Sequence, residues 1–148
     1  MTKAGVMEGD FALYLRRAVP FHHLDPMGVV WHGRYLEYVD EARMELFSRA
    51  GLDLYEMYEA TEGYAFPLIR TSTKHVAPLR LREQFEVYGR VLEARWKISL
   101  AFEIRRVPEG ALCVRARSEQ AAVRLPGWTL EYRVPEPVAR ALCPWLGK

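Results

Sequence analysis

The chain lacks any long hydrophobic run, and this absence limits where it can reside. No apolar stretch in its 148 residues approaches the ~18 residues that a membrane-spanning helix needs. Residues 1–6 also lack the continuous apolar region of a secretory signal peptide. We therefore expect a protein without an integral membrane segment that resides in the cytoplasm.

Metal-binding and redox motifs of cysteine or histidine are also absent from the sequence. The two cysteines, Cys113 and Cys143, are far apart and show no metal or redox spacing, so we interpret them as small buried side chains. None of the four histidines pairs with another at the spacing of a zinc site. We expect no bound metal and no cofactor.

Neither sign of charge predominates in the sequence. The formal net charge is only +2, so bulk charge gives no reason to expect a nucleic-acid partner. The ten glycines are scattered and form no phosphate-binding loop. Most of the 21 cationic residues are arginine, whose planar guanidinium suits phosphate. The strand residues that are candidates for such contacts, or else simply solvated, are Lys74, Arg90, Arg105, Arg115 and Arg117.

What remains is the composition of an ordinary globular domain, with 50% hydrophobic and 27% charged residues. Residues 1–10 show no periodicity and are predicted to form a flexible arm, while residues 11–148 are predicted to form one domain.

Hydrophobic spacing predicts the order of the elements. Residues 11–19 alternate as a strand, and residues 33–50 repeat at helical spacing up to a capping Gly51. A shorter helix is predicted at residues 52–60. Further strands are predicted at 64–76, 84–94, 97–107 and 111–125, and a short helix at 138–142 in a proline-rich tail. This order indicates an α+β fold with a mainly antiparallel sheet.

The long helix is preceded by a turn that carries an acid. Asp25-Pro26-Met27-Gly28 has the residue types of a type I turn, and the apolar Val29-Val30-Trp31 that follows is predicted to turn inward. Asp25 therefore lies just ahead of a helix start, where backbone N–H groups are unpaired. From the residues alone, Asp25 could serve only the turn or could take part in acyl chemistry.

The segment from Phe21 to Gly51 resembles a known family. Its core, Asp-Pro-x-Gly-Val-Val-x-His-x-x-Tyr-Leu-x-Tyr followed by Ala42-Arg43, is similar to that of hotdog-fold acyl-CoA thioesterases. The likeness is to the 4-hydroxybenzoyl-CoA thioesterase and YbgC-like branch. It implies a hotdog fold, in which a curved antiparallel five-stranded sheet wraps around one long central helix, with the 64–76 strand on the far edge.

The resemblance also implies a reaction, which is hydrolysis of an acyl-CoA thioester to a free carboxylate and CoA. Asp25 would attack the thioester carbonyl or activate water, and the backbone N–H of His32 would bind the oxyanion. Residues expected to contact substrate are Gly28, Val29, Trp31, Gly33, Tyr35 and Asp40. Two copies would form a homodimer with active sites at the interface, and dimers would pair again into a homotetramer.

Several alternatives remain open at this point. Asp40 could be a solvated helix residue paired with Arg43 instead of a pocket residue. The protein could be a hotdog dehydratase, or a non-catalytic module that binds acyl-CoA or acyl-carrier protein. Met27 stands where the relatives usually carry Gly or Ala, and the preceding His22-His23 departs from the family pattern.

Overall fold

The computed structural model describes residues 11–60 and 63–146, so the arm predicted at residues 1–10 lies outside the described part. Short 3-10 turns occupy Phe21–His23 and Cys143–Trp145. The helices and strands, numbered in chain order, are β1 (Ala12–Ala18), α1 (Arg34–Arg49), α2 (Leu54–Glu59), β2 (Tyr64–Ala65), β3 (Leu68–His75), β4 (Gln84–Glu93), β5 (Ile98–Val107), β6 (Leu112–Gln120), β7 (Ala122–Arg124), β8 (Thr129–Glu131) and α3 (Glu136–Leu142).

The main sheet has five strands in the order β1-β4-β5-β6-β3, and every neighbouring pair is antiparallel. The predicted α+β class and five-stranded sheet are confirmed, and the 64–76 region supplies the far edge as expected. That region is not one strand, however. Phe66 and Pro67 separate β2 from β3, since proline has no N–H to donate to a neighbouring strand. All eight residues of β3 are exposed.

Helix α1 lies against this sheet through an apolar face that only partly follows the helical spacing predicted for residues 33–50. Val39, Ala42 and Leu46 are buried as their spacing predicted. Tyr38 and Arg43 are buried too, because they pack against the strands, whereas Leu36 is 41% exposed. The buried face of α1 therefore includes Tyr38 and Arg43 and excludes Leu36, which hydrophobicity alone did not indicate.

The remaining elements differ more from expectation. Strands β2, β7 and β8 form a separate three-stranded sheet, and β8 was not predicted because its three residues show no apolar alternation. Helix α3 begins at Glu136, two residues before its predicted start, and buries Val138 and Leu142. Cys113 is buried as predicted, but Cys143 is exposed.

Candidate active site

The predicted turn at Asp25–Gly28 is present, and it uses the carboxylate of its first residue. The Gly28 N–H donates to the Asp25 carbonyl oxygen at 3.0 Å. The Met27 N–H donates to Asp25 Oδ1 at 2.8 Å. Gly28 has φ +78°, a conformation that glycine adopts without strain. Within the described part of the chain, no donor contacts the second Asp25 oxygen, so the turn aims the carboxylate and leaves half of it available.

The segment after the turn is fixed on both sides by backbone hydrogen bonds. The Val30 N–H donates to the Leu79 carbonyl at 2.8 Å, and the Trp31 N–H donates to the His23 carbonyl at 2.9 Å. Val30 is buried, but Trp31 is 49% exposed, which corrects the expectation that all of Val29-Val30-Trp31 points inward. Alternate residues of an extended segment face opposite sides, so burial of Val30 turns Trp31 outward.

The start of α1 exposes unpaired backbone donors next to this segment. The Arg34 N–H donates to the Trp31 carbonyl at 2.9 Å, but no acceptor within residues 11–60 and 63–146 contacts the N–H groups of His32 and Gly33. The N-cap residue of α1 is Gly33, which has no side chain that could accept a hydrogen bond from these N–H groups. A β-carbon at Gly33 would lie 2.3 Å from the Trp31 ring, so a larger residue there would displace the indole. Free N–H groups at a helix start attract negative charge.

A pocket of about 260 Å³ joins the turn to the helix start. Among the residues that line it are Asp25, Val29, His32, Tyr35, His75 and Val76. Four of the predicted site residues therefore meet here, namely Asp25, Val29, His32 and Tyr35. Gly28, Trp31, Gly33 and Asp40 do not line the pocket.

The wall that His75 and Val76 form was not predicted from the sequence. His75 ends β3 and Val76 follows it, at the end of the strand predicted over residues 64–76. The His75 ring lies 5.3 Å from the Tyr35 ring, centroid to centroid. His75 and Tyr35 are far apart in the sequence, and β3 is held in place by its pairing with β6. Only the tertiary fold therefore brings these two rings together.

Tyr35 closes the inner side of the pocket. Its hydroxyl oxygen accepts the Leu79 N–H at 3.1 Å, and its side chain is buried. Burial is the main cause that raises the pKa of Tyr35. The hydroxyl therefore keeps its proton at neutral pH and can donate a hydrogen bond. Tyr35 therefore contributes a fixed neutral donor to an otherwise apolar wall.

Behind the pocket, His23 connects the turn segment to α1. His23 Nδ1 lies 2.6 Å from the Tyr38 hydroxyl oxygen in a buried contact. Burial, and after it the positive charges of Arg34, His22 and Arg17, lowers the pKa of His23, while Glu37 opposes them. Burial raises the pKa of Tyr38 to about 12. A neutral imidazole whose Nδ1 accepts a hydrogen bond from the Tyr38 hydroxyl satisfies both groups.

Asp40 lies outside the pocket, on the exposed side of α1. It forms an ion pair with Arg43, which was the alternative to a pocket role. Arg43 is buried, donates through Nη2 to Ser118 Oγ at 2.9 Å, and lies 5.7 Å from the Phe102 ring centroid. Burial lowers the pKa of Arg43. The pair thus brings a guanidinium into the interface between α1 and the sheet.

Two further findings concern metals and membranes. Among the described residues, no three His, Cys, Asp or Glu side chains lie together as metal ligands would. No helix in residues 11–60 and 63–146 has the length and apolar character needed to span a membrane. The groups available in the pocket are the Asp25 carboxylate, the Tyr35 hydroxyl and the imidazoles of His32 and His75, together with free backbone N–H groups at the helix start.

Comparison with known proteins assigns this arrangement to a family. The thioesterase-like superfamily matches residues 19–142, a range that includes the turn, all of α1 and the five-stranded sheet except β1. The chain belongs to the thioesterase-like superfamily. It is a thioester hydrolase, and the predicted hotdog fold is confirmed. Membership in the 4-hydroxybenzoyl-CoA thioesterase and YbgC-like branch stays a prediction.

Individual relatives agree with this assignment. Slr0204 of Synechocystis, a 1,4-dihydroxy-2-naphthoyl-CoA thioesterase, superposes with a TM-score of 0.78 at 24% identity, covering 87% of this chain and 93% of its own. TT1821 of Thermus thermophilus gives a TM-score of 0.75 at 29% identity and covers 88% and 97%. The Synechocystis sp. protein named "Putative esterase sll0410" is 28% identical over 120 residues, which is 80% of this chain and 69% of that protein.

Proposed function

We propose that this thioesterase hydrolyses an acyl-CoA thioester to a free carboxylate and CoA. The observation that carries the proposal is that the Asp25 carboxylate and the helix start at His32 line one pocket. Acyl-CoA is supported as the substrate class because the structurally similar Slr0204 acts on an acyl-CoA. No separate cofactor is required, since CoA is part of the substrate.

In this proposal Asp25 supplies the reactive oxygen. Either its free oxygen attacks the thioester carbonyl and the resulting anhydride is hydrolysed by water, or it takes a proton from a water molecule that attacks directly. In both routes the C–S bond breaks, and the CoA thiolate leaves and is protonated. The hydrogen bond from the Met27 N–H orients the carboxylate for either role.

The backbone N–H of His32, which lines the pocket, binds the oxyanion that develops on the thioester carbonyl. A donor that is already oriented contributes about 3 kcal/mol to transition-state stabilisation, or a factor of 10²–10³ in rate. This free N–H at the start of α1 needs no rearrangement to do so. The His32 side chain then lines the pocket without being required as an acid or base.

The acyl group occupies the apolar part of the pocket, against Val29 and Tyr35. Gly28 acts by permitting the turn, and Trp31 by covering Gly33 on the solvent side. Asp40 is proposed to contact only those acyl groups that extend beyond the pocket along α1. We place the protein in the cytoplasm, which the two free cysteines favour.

A second copy of the chain is proposed to complete the site. Strand β3 pairs with β6 along one edge only, and its exposed residues include Leu68 and Ile69. The free edge of a strand presents backbone N–H and C=O groups that can pair with a strand of another chain. Edge-to-edge pairing through β3 would bring the partner beside His75 and Val76, next to the pocket. Two such dimers are proposed to associate as a homotetramer.

The decisive experiment replaces Asp25 by Asn and measures thiol release from short, long and aromatic acyl-CoAs. Asn retains an oxygen that can accept the Met27 N–H, so the turn is kept while the charge is lost. We expect turnover to fall at least ~100-fold. The matched control is Asp53→Asn, because the Asp53 carboxylate also accepts backbone N–H groups but caps α2 outside the pocket.

Each outcome has a clear meaning. Loss of activity in Asp25→Asn, with normal circular dichroism and a fully active control, supports the assignment. Near-normal hydrolysis by Asp25→Asn contradicts it. Assaying enoyl-CoA hydration in parallel, and CoA binding by calorimetry, tests the dehydratase and binding-module alternatives on the same preparations.

A further inference from the structure

Three arginines lie together on the face of the main sheet that points away from α1. Strand register pairs Arg90 of β4 with Ala101 of β5, and Ala101 with Arg117 of β6. Arg115 is two residues before Arg117 and therefore lies on the same face. Adjacent strands are about 4.8 Å apart, so Arg90 and Arg117 stand about 10 Å apart on either side of a small alanine.

This face is the opposite side of the sheet from the candidate active site. Phe102 is buried beneath Arg43 of α1, and its neighbour Ala101 therefore points to the other side. His75, which lines the active-site pocket, pairs in register with the buried Val114 on the helix side. The arginine cluster is a second, separate feature.

The arginines surround a concave space. A cavity of about 310 Å³ is lined by Phe11, Arg90, Leu92, Ala101, Arg115 and Arg117, together with Glu103. The methyl group of Ala101 leaves room between the two flanking side chains. The Phe11 ring lies 5.5 Å from the Arg90 guanidinium carbon, a cation–π contact that limits the movement of Arg90.

The acidic residue that lines this cavity is already engaged. Glu103, its acidic residue, already accepts two hydrogen bonds from Arg105, at 3.0 and 2.9 Å. Its second oxygen lies 3.7 Å from Arg115 Nε, a longer contact. No acidic partner for Arg117 or for Lys74, which is in register with Arg115, is present in the described part of the chain. Arg105 and Arg115 thus share one carboxylate, and Arg117 has no acidic partner among the described residues.

We propose that this cavity binds an anion bearing a phosphate group. A multiply charged tetrahedral oxyanion can accept hydrogen bonds from more than one guanidinium and so relieve their mutual repulsion, which one carboxylate cannot do. A second copy of the chain is not the occupant, because a two-fold axis through this face would bring arginine clusters of like charge together.

The phosphate group has two possible sources, a phosphate of the nucleotide part of the substrate or a separate phosphorylated ligand. The proposal goes beyond the thioesterase reaction, because binding at this face requires no turnover. It can therefore be tested on the Asp25→Asn protein, so that failure of the anion site and failure of the proposed reaction are distinguishable.

The test measures binding of inorganic phosphate and of pyrophosphate by thermal unfolding and calorimetry, at constant ionic strength with chloride as the reference anion. We expect both anions to raise the melting temperature, since a ligand that binds only the folded chain stabilises it. Arg117→Gln is expected to weaken pyrophosphate binding by about tenfold, the usual effect of losing a charged hydrogen bond.

The matched control is Arg140→Gln, whose exposed guanidinium pairs with Glu136 on α3 and does not line the cavity. It is expected to bind pyrophosphate like the wild type. Equal binding by Arg117→Gln and the wild type, or no response to either anion beyond that to chloride, would overturn the proposal. If the same substitution also weakens CoA binding, the phosphate belongs to the substrate. If CoA binding is unchanged, the ligand is a separate one.

Discussion

The buried contact between His23 and Tyr38 provides a sharp test of how the active-site segment is held in place. The carbonyl of His23 accepts the Trp31 N–H, one residue before the proposed oxyanion donor, while its ring contacts the Tyr38 hydroxyl. The perturbation is Tyr38→Phe, which removes one oxygen atom. The ring keeps its packing on Phe85, at 4.5 Å between centroids, so no large cavity forms.

The expected magnitude follows from the burial of both partners. His23 is 5% exposed, so its Nδ1 atom cannot replace the lost hydrogen bond with bulk water. A buried polar atom left without a partner costs about 1–3 kcal/mol. For a domain of this size, a loss of about 2 kcal/mol lowers the melting temperature by roughly 4–8 °C.

The assay is urea unfolding of the wild type and Tyr38→Phe, followed by circular dichroism, with Tyr55→Phe as the control. Tyr55 is 69% exposed on α2, and its hydroxyl should contribute almost nothing. We also expect Tyr38→Phe to lower kcat several-fold at temperatures where it is fully folded, because the His32 N–H is less well positioned. An unfolding free energy within about 0.5 kcal/mol of wild type would refute the reasoning.

Two further predictions concern buried charge. The pKa of His23 lies below its usual value of 6.5 in the folded chain, so as pH falls below 6.5 the unfolded chain binds a proton that the folded chain resists, and stability is lost. His23→Gln should remove this part of the pH dependence in urea titrations, and His22→Gln should retain it. Asp40→Ala should lower the unfolding free energy by about 1–2 kcal/mol, less than for a fully buried pair because Asp40 is 60% exposed. Arg43→Met should lower the unfolding free energy by less than about 1 kcal/mol, or raise it, because the cost of desolvating the cation disappears. A larger loss of stability in Arg43→Met than in Asp40→Ala would contradict this account.

Much of the fold was predictable because its signals are local. Alternation and helical spacing depend on neighbours within a few residues, and β1, α1, β4 and β5 lie within a residue or two of their predicted bounds. The turn was predictable for the same reason, since Pro26 and Gly28 have a conformational preference of their own. Where local signals weaken, as at the three-residue β8, prediction failed.

The candidate site was predictable only in part. Asp25, Val29, His32 and Tyr35 fall within eleven residues, so one turn and the start of one helix suffice to gather them. The assignment of their roles depends on resemblance and on the proposed experiment. The wall formed by His75 comes from a distant strand, and no periodicity indicates which strand borders a helix start.

The amino-acid sequence by itself therefore determined the elements, the turn that aims Asp25 and the free N–H groups of His32 and Gly33, because each depends on short-range backbone geometry. Tertiary structure decided what surrounds them. It buried Arg43 and Tyr38, turned Trp31 outward, brought His75 to the pocket and grouped three arginines on the outer sheet face. Those outcomes depend on strand register and packing between residues far apart in the chain, which no local pattern encodes.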